Sequence, residues 1–243
     1  MYKMTPQQLK NSILQMAMQG KLVEQRPEEG TGEALYQEIQ AEKKKLIQAG
    51  KIKKSKKLPE ITEEEIPFEI PESWKWCRID DLFQHNTGKA LNKGKGTKDG
   101  QMLQYITTSN LYWNRFELDK LKSMLFTEAE LEKCTIRKND LLVCEGGEFG
   151  RAAIWSYEKP MRIQNHIHRL RSYGIVNIKY FYYIFYLYKT SGLIKGKGIA
   201  IKCLSSKALG SLIVPLPPLA EQKRIVAKIE ELMAMVEALE EEK

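Results

Sequence analysis

The last 25 residues constrain the fold most. Ile225, Ile229, Leu232, Val236 and Leu239 recur at steps of four, three, four and three, the a/d spacing of a helix that packs a seam against another helix. The run covers about two heptads, less than an isolated helix needs to be stable in water, so it requires a partner. The N-terminus offers one: Leu9, Ile13 and Met16 form one stripe of a helix that Gly20 ends. The polarity of EALEEEK favours this pairing, or the same pairing with a second copy, over docking on a globular core. The chain stops inside the helix with no capping signal, so a shortened chain or one half of a larger assembly is expected.

Between these ends the texture changes twice. Residues 1–58 read as polar helices, the second marked by Leu35, Ile39 and Leu46, and AEKKKLIQAGKIKKSKKL reads as a solvated helix end. Residues 59–67 (PEITEEEIP) form an acidic linker. From 68 to 218, strand-like runs at 104–108, 140–144, 152–155, 164–170 and 211–214 alternate with Gly/Asn/Lys loops, and 128–133 and 178–189 read as helices. Within the latter, Tyr180, Phe181, Tyr183, Ile184 and Leu187 suit a core stripe. Residues 219–243 are the C-terminal amphipathic helix. The expected class is α+β: one mixed α/β domain flanked by N- and C-terminal helices.

Charge follows these divisions. The formal net charge is +8, and residues 71–218 hold 23 basic against 13 acidic groups. No Asp or Glu occurs from 159 to 220, where ten Lys/Arg do. Protein surfaces normally mix signs; a one-sign stretch suits phosphate contacts.

Catalytic patterns are missing. GKALNKGKGTK lacks the spacing of a phosphate loop, and no G-x-S-x-G elbow or Asn/Asp-Pro-Pro-aromatic sequence occurs. CEGGEFGR reads as a tight turn. The E-x-K sequences at 42–44 and 221–223 lie in polar helices without a strand-borne acid to hold magnesium. His166 and His168 alternate on a predicted strand and would share a face, but no third metal ligand accompanies them. Cys77, Cys134, Cys144 and Cys203 are too scattered for a zinc or disulfide framework and suit a reducing cytosol. The opening MYKMTPQQLK has no signal-peptide pattern and no apolar run reaches ~20 residues, so a cytoplasmic protein without membrane contact is expected.

What remains is a binding surface. Arg, Lys, Asn and Gln match guanine and adenine edges, and the loops supply them in clusters: Lys89, Asn92, Lys93, Lys95 and Lys98; Ser109, Asn110, Asn114 and Arg115; Arg151; Arg162, Gln164, Asn165 and His166; Lys195, Lys197 and Lys202. Gly88, Gly94, Gly96, Gly196 and Gly198 would let backbone approach phosphate. Double-stranded DNA is the expected partner; a basic adaptor for an acidic protein is the alternative.

PESWKWCRIDDL (71–82) resembles the opening of a target recognition domain in the specificity subunit of type I restriction–modification systems. NTGKALNKGKG, LQYITTSNL, KNDLLVCEGGEFGRAAIW (138–155) and GIAIKCLSSKALGSLIVPLPPLAEQKRIVAKIEEL (198–232) continue the likeness. PLPPLAEQKRIVAKI and LKNSILQMAMQGKL (9–22) resemble two ends of the family's helical spacer. The resemblance implies a non-catalytic subunit whose recognition domains each read half of a split target. It implies helices that dock methyltransferase subunits, and a restriction and motor subunit in the same complex. S-adenosylmethionine, ATP and magnesium are then expected on those partners and no cofactor on this chain. Only one recognition domain is present here, so self-dimerisation of a half-subunit is one expectation.

Overall fold

The computed structural model describes residues 4–54, 58–91, 99–194 and 203–241, the last without its side chain. In chain order these form α1 (Pro6–Met18), α2 (Gly32–Gln48), β1 (Lys75–Arg78), α3 (Ile79–Leu82), β2 (Phe83–Thr87), β3 (Gln101–Ile106), β4 (Leu111–Tyr112), β5 (Arg115–Phe116) and β6 (Lys122–Phe126). There follow α4 (Glu128–Cys134), β7 (Thr135–Ile136), β8 (Leu141–Cys144), β9 (Ala152–Ile154), β10 (Met161–Ile163) and β11 (Ile167–Ser172). The chain ends with α5 (Ile178–Thr190), α6 (Ser206–Ser211), β12 (Ile213–Leu216) and α7 (Leu219–Glu241). They divide into a helical unit (Met1–Leu82, Tyr173–Leu193, Ser211–Lys243) and a sheet unit (Phe83–Ser172, Ile194–Gly210).

In the helical unit α1 starts with a capping box, the Thr5 side chain accepting from the Gln8 amide and the Gln8 side chain closing back on Thr5. Gly20, at φ 68°, follows its end. α7 runs antiparallel to α1, since Lys10 pairs with Glu240 at 2.9 Å and Gln25, just beyond α1, donates to Glu221 at 2.6 Å. Ile225, Ile229 and Val236 are buried, as is Ile13. Leu9 and Leu232 are half-buried, and Met16 and Leu239 are exposed (44% and 56%). The two helices pack as expected, but Met16 and Leu239 lie outside the buried seam, a correction to the two stripes. α5 also packs on α1 and α7, which turns the buried arc of α1 toward Ile13, Leu14, Ala17 and Met18.

α5 is buried almost all round. Besides Tyr180, Phe181, Ile184 and Leu187, it buries Tyr182, Phe185 and Tyr188, while Tyr183 is only half-buried. Two of its hydroxyls are satisfied inside: Tyr180 Oη donates to the Pro215 carbonyl at 3.2 Å and Tyr188 Oη to that of Ile213 at 3.0 Å. Both acceptors lie on β12, which pairs antiparallel with β1 from Lys75↔Leu216 to Arg78↔Ile213. The boundaries expected from texture at 68 and 218 thus fall inside the helical unit, because β1, α5 and β12 pack with the helices. Arg78, 4% exposed, binds Glu65 through both terminal nitrogens and donates to the carbonyls of Pro59, Glu60 and Ser211. That ties the acidic connector to the sheet.

The sheet unit holds two four-stranded sheets and a hairpin. One sheet runs β6-β3-β10-β7, with β3 and β10 parallel and the other pairs antiparallel. The other, β2-β11-β8-β9, is wholly antiparallel. Ile106, Leu111, Phe116, Leu142, Trp155, Ile163 and Ile167 share one core. A cation is buried as well. Arg169 on β11 donates to the carbonyls of Thr135 (2.8 Å) and Glu132 (3.4 Å), at the C-terminal end of α4, where the helix dipole favours positive charge. Burial lowers its pKa to about 10, so it stays charged at neutral pH. No helix among the described residues is long and apolar enough to cross a membrane.

Candidate nucleic-acid interface

β3 and β10 are parallel, so their C-terminal ends leave the sheet on the same edge. The segments they carry, 107–110 and 164–166, therefore begin side by side, with the Gln164 amide donating to the Ile106 carbonyl at 3.0 Å. β11 starts there in the opposite sense and pairs Ile167 with Cys144, which brings Glu145 alongside; its amide donates to the His166 carbonyl at 2.9 Å. The end of β2 closes in, with Lys89 N to Ile163 O and Asn165 N to Lys89 O, both 3.0 Å. The β4–β5 hairpin joins through Asn114 N to Ala152 O at 3.2 Å. Five loop segments thus meet on one edge of the sheet unit.

Gly88 at this junction has a different role from that expected. A Cβ there would lie 2.0 Å from the Ile163 carbonyl oxygen, so the missing side chain admits protein backbone rather than phosphate. CEGGEFGR is the β8–β9 turn: Gly150 N donates to Cys144 O, and Gly147 and Gly150 take φ of 66° and 81°.

Ser109, Asn114, Arg115 and His166 are exposed, and Asn110, Arg151, Arg162, Gln164 and Asn165 are half-buried. Asn110, Lys89 and Arg162 each spend side-chain atoms on the fold. Asn110 Oδ1 accepts from the Thr107 amide and its Nδ2 donates to the Glu117 carbonyl. Lys89 Nζ is taken by Glu130 (2.6 Å) and the Leu125 carbonyl (2.7 Å); the Lys89 ammonium in turn holds the Glu130 carboxyl below its usual range. Arg162 Nε donates to Gln104 O at 3.2 Å. Asn92, Lys93, Lys95, Lys98, Lys195, Lys197 and Lys202 lie outside the described residues.

The histidines part company. His166 sits in the turn before β11, exposed, with Nδ1 3.2 Å from Glu145. His168 is fully buried, with Nε2 2.8 Å from the Leu204 carbonyl and Nδ1 2.9 Å from His85 Nε2. Sequence alternation misses this because the strand begins at Ile167, one residue after His166. No group of three His, Cys, Asp or Glu able to hold a metal occurs among the described residues.

Three residues at this edge have no place among the sequence-expected readers: Tyr112, Glu117 and Glu145. The guanidinium carbons of Arg115 and Arg151 lie 4.7 and 5.1 Å from the centre of the Tyr112 ring, and Arg115 pairs with Glu117 at 3.2 Å. The signal for Tyr112 was available in LYWNRF, where a two-residue turn at Trp113–Asn114 sets Tyr112 opposite Arg115. Asn114 takes the positive φ (47°) that the turn needs.

Among the described residues the edge gathers Arg, Gln, Asn, His and Tyr side chains with the carboxylates of Glu117 and Glu145. The EcoAI type I restriction enzyme specificity subunit of Escherichia coli is 29% identical over 236 residues, which cover 93% of this chain and 39% of that protein. The EcoEI specificity subunit of the same organism is 45% identical over 75 residues, 31% of this chain and 13% of that one. The chain therefore spans well under half the length of these curated relatives. The HsdS subunit from Thermoanaerobacter tengcongensis shares the fold, with a TM-score of 0.54 at 18% identity over 98% of this chain and 53% of that one. A family model described as the type I restriction modification DNA specificity domain matches residues 71–243, and the chain belongs to that family.

Proposed function

We propose that the sheet unit reads one half of a divided target in duplex DNA and that this chain directs, rather than performs, the chemistry. The observation carrying this reading is the meeting of Arg115, Arg151, Gln164, Asn165 and His166 on one loop edge. Membership of the specificity-domain family supports it. Methylation and cleavage then belong to partner subunits that hold S-adenosylmethionine, ATP and magnesium.

Affinity for a selected half-site is expected to fall by about 1–3 kcal/mol in Arg115→Ala and in Gln164→Ala, each with relaxed preference at one base pair. Titrations over a series of salt concentrations supply the second readout, because duplex binding weakens in proportion to the phosphates neutralised. Undiminished preference in both variants would sink the assignment of readers. Salt-dependent capture of an acidic protein with no duplex binding would favour the adaptor reading instead.

The helical unit serves, on the same reading, as a dock for methyltransferase subunits. Leu232, Met235 and Leu239 fall on one stripe of α7 at steps of three and four, and Met235 and Leu239 are exposed. Leu239→Glu is expected to reduce methyltransferase capture at least about tenfold in a pull-down while leaving the melting temperature in place. Undiminished capture counts against this face.

A further inference from the structure

We infer that Arg115 reads a guanine in the half-site and that Tyr112 is the residue that positions it. The inference deepens the half-site reading and rests on it. Its basis is the β4–β5 hairpin, where Leu111 pairs with Phe116 and Tyr112 with Arg115. Leu111 and Phe116 are buried in the core, Phe116 edge-on to Trp155 with centroids 5.0 Å apart. Successive strand residues point to opposite faces, so the core contact of one pair commits Tyr112 and Arg115 to the other face. The hairpin is anchored at both ends, by Asn114 N to Ala152 O and by Glu117 N to Asn110 O (2.9 Å).

On that face Arg115 is held before any ligand arrives. Its guanidinium lies over the Tyr112 ring and against the Glu117 carboxylate, yet its side chain is 62% exposed. Arg151 occupies the same ring and is anchored by Nη2 to the Thr108 carbonyl at 2.8 Å. A guanidinium fork held in one orientation loses less freedom on binding. Guanine offers it two acceptors, O6 and N7, at matching separation. Glu117 adds discrimination: a base must replace the carboxylate as acceptor, and a base with one acceptor cannot. Tyr112 is thus a positioning residue, acting through Arg115.

The full chain is used to select half-sites from randomised duplexes, and the selected duplex is re-titrated. The wild type is expected to require guanine at one position, and 7-deazaguanine there, which lacks N7, to weaken binding roughly tenfold. Arg115→Ala is expected to erase the preference at that position alone. Tyr112→Leu should reduce the same preference and Tyr112→Phe, which keeps the ring face, should restore it. Glu117→Gln should tighten binding to all four bases there and narrow the ratio between them. A selected half-site whose Arg115-dependent position is not guanine, or whose preference survives both Arg115→Ala and Tyr112→Leu, overturns this inference and leaves the half-site reading standing. Failure of the wild type to select any duplex overturns both.

Discussion

Replacing Arg78 with alanine is expected to destabilise the helical unit by about 1.5–3 kcal/mol, the cost of losing the hydrogen bonds of a charged group whose partners still reach solvent. Arg78 is 4% exposed and satisfies Glu65 and three backbone carbonyls, from Pro59, Glu60 and Ser211. Truncation leaves those carbonyls short of donors and opens the seat of the connector. Acid titration gives an independent reading. The Arg78 hydrogen bonds hold the Glu65 carboxyl down at about 2, from its ordinary 4.5. A lowered carboxylate pKa stabilises the fold above the ordinary value and loses that contribution as pH falls through the folded one. The wild type should therefore lose stability between about pH 4.5 and 2, and the variant should lack that part of the slope. Glu65 is 39% exposed, so solvent screens the increment and it should be small beside the truncation cost. Urea midpoints across that pH range, with hydrogen exchange of residues 59–65, provide the measurement. A variant with parental midpoint and parental acid slope would count against the role given to Arg78.

Gly88→Ala is expected to cost the sheet unit about 3 kcal/mol, the upper end of the usual range for overpacking, and to abolish half-site preference. The new Cβ would stand 2.0 Å from Ile163 O and 2.5 Å from Gln164 C. The obstruction is backbone, so relief requires the end of β2 to part from the segment bearing Gln164 and Asn165. Gly147→Ala is the matched control. Nothing lies within 4 Å of its Cβ, and only its φ of 66° opposes the change, a penalty of roughly 1–2 kcal/mol. Thermal unfolding and half-site titration of the two variants separate crowding from backbone strain. Equal losses of preference in both would show that the Gly88 junction does not set the readers.

Local pattern carried much of the fold. The helix at 178–189 and the short one at 128–133 stand within a residue of α5 and α4, and the 225–239 seam identified the partner of α1. Long-range pairing was not readable: nothing in KWCR or IVPL says that Lys75 meets Leu216. That pairing decides that α5 and β12 belong with the helices. β2 escaped notice because FQHNT is polar and mostly half-buried, and Arg78 and Arg169 look like surface residues until their carbonyl partners are known. At the candidate interface, side-chain chemistry singled out Arg115, Gln164 and Asn165, which the fold brings to one edge, but misread Gly88 and His168. Both owe their roles to backbone approaches between segments about 36–75 residues apart.

The interruption of the sheet unit between Ser172 and Ile194 has a practical consequence for anyone exchanging specificities between relatives. A contiguous transplant of residues 83–210 would carry α5 along, and its tyrosines would arrive facing a host β12 they were never selected to fit. Two separate pieces, 83–172 and 194–210, must travel while α5 stays at home. Chimaeras cut in that pattern should fold where single-block swaps precipitate.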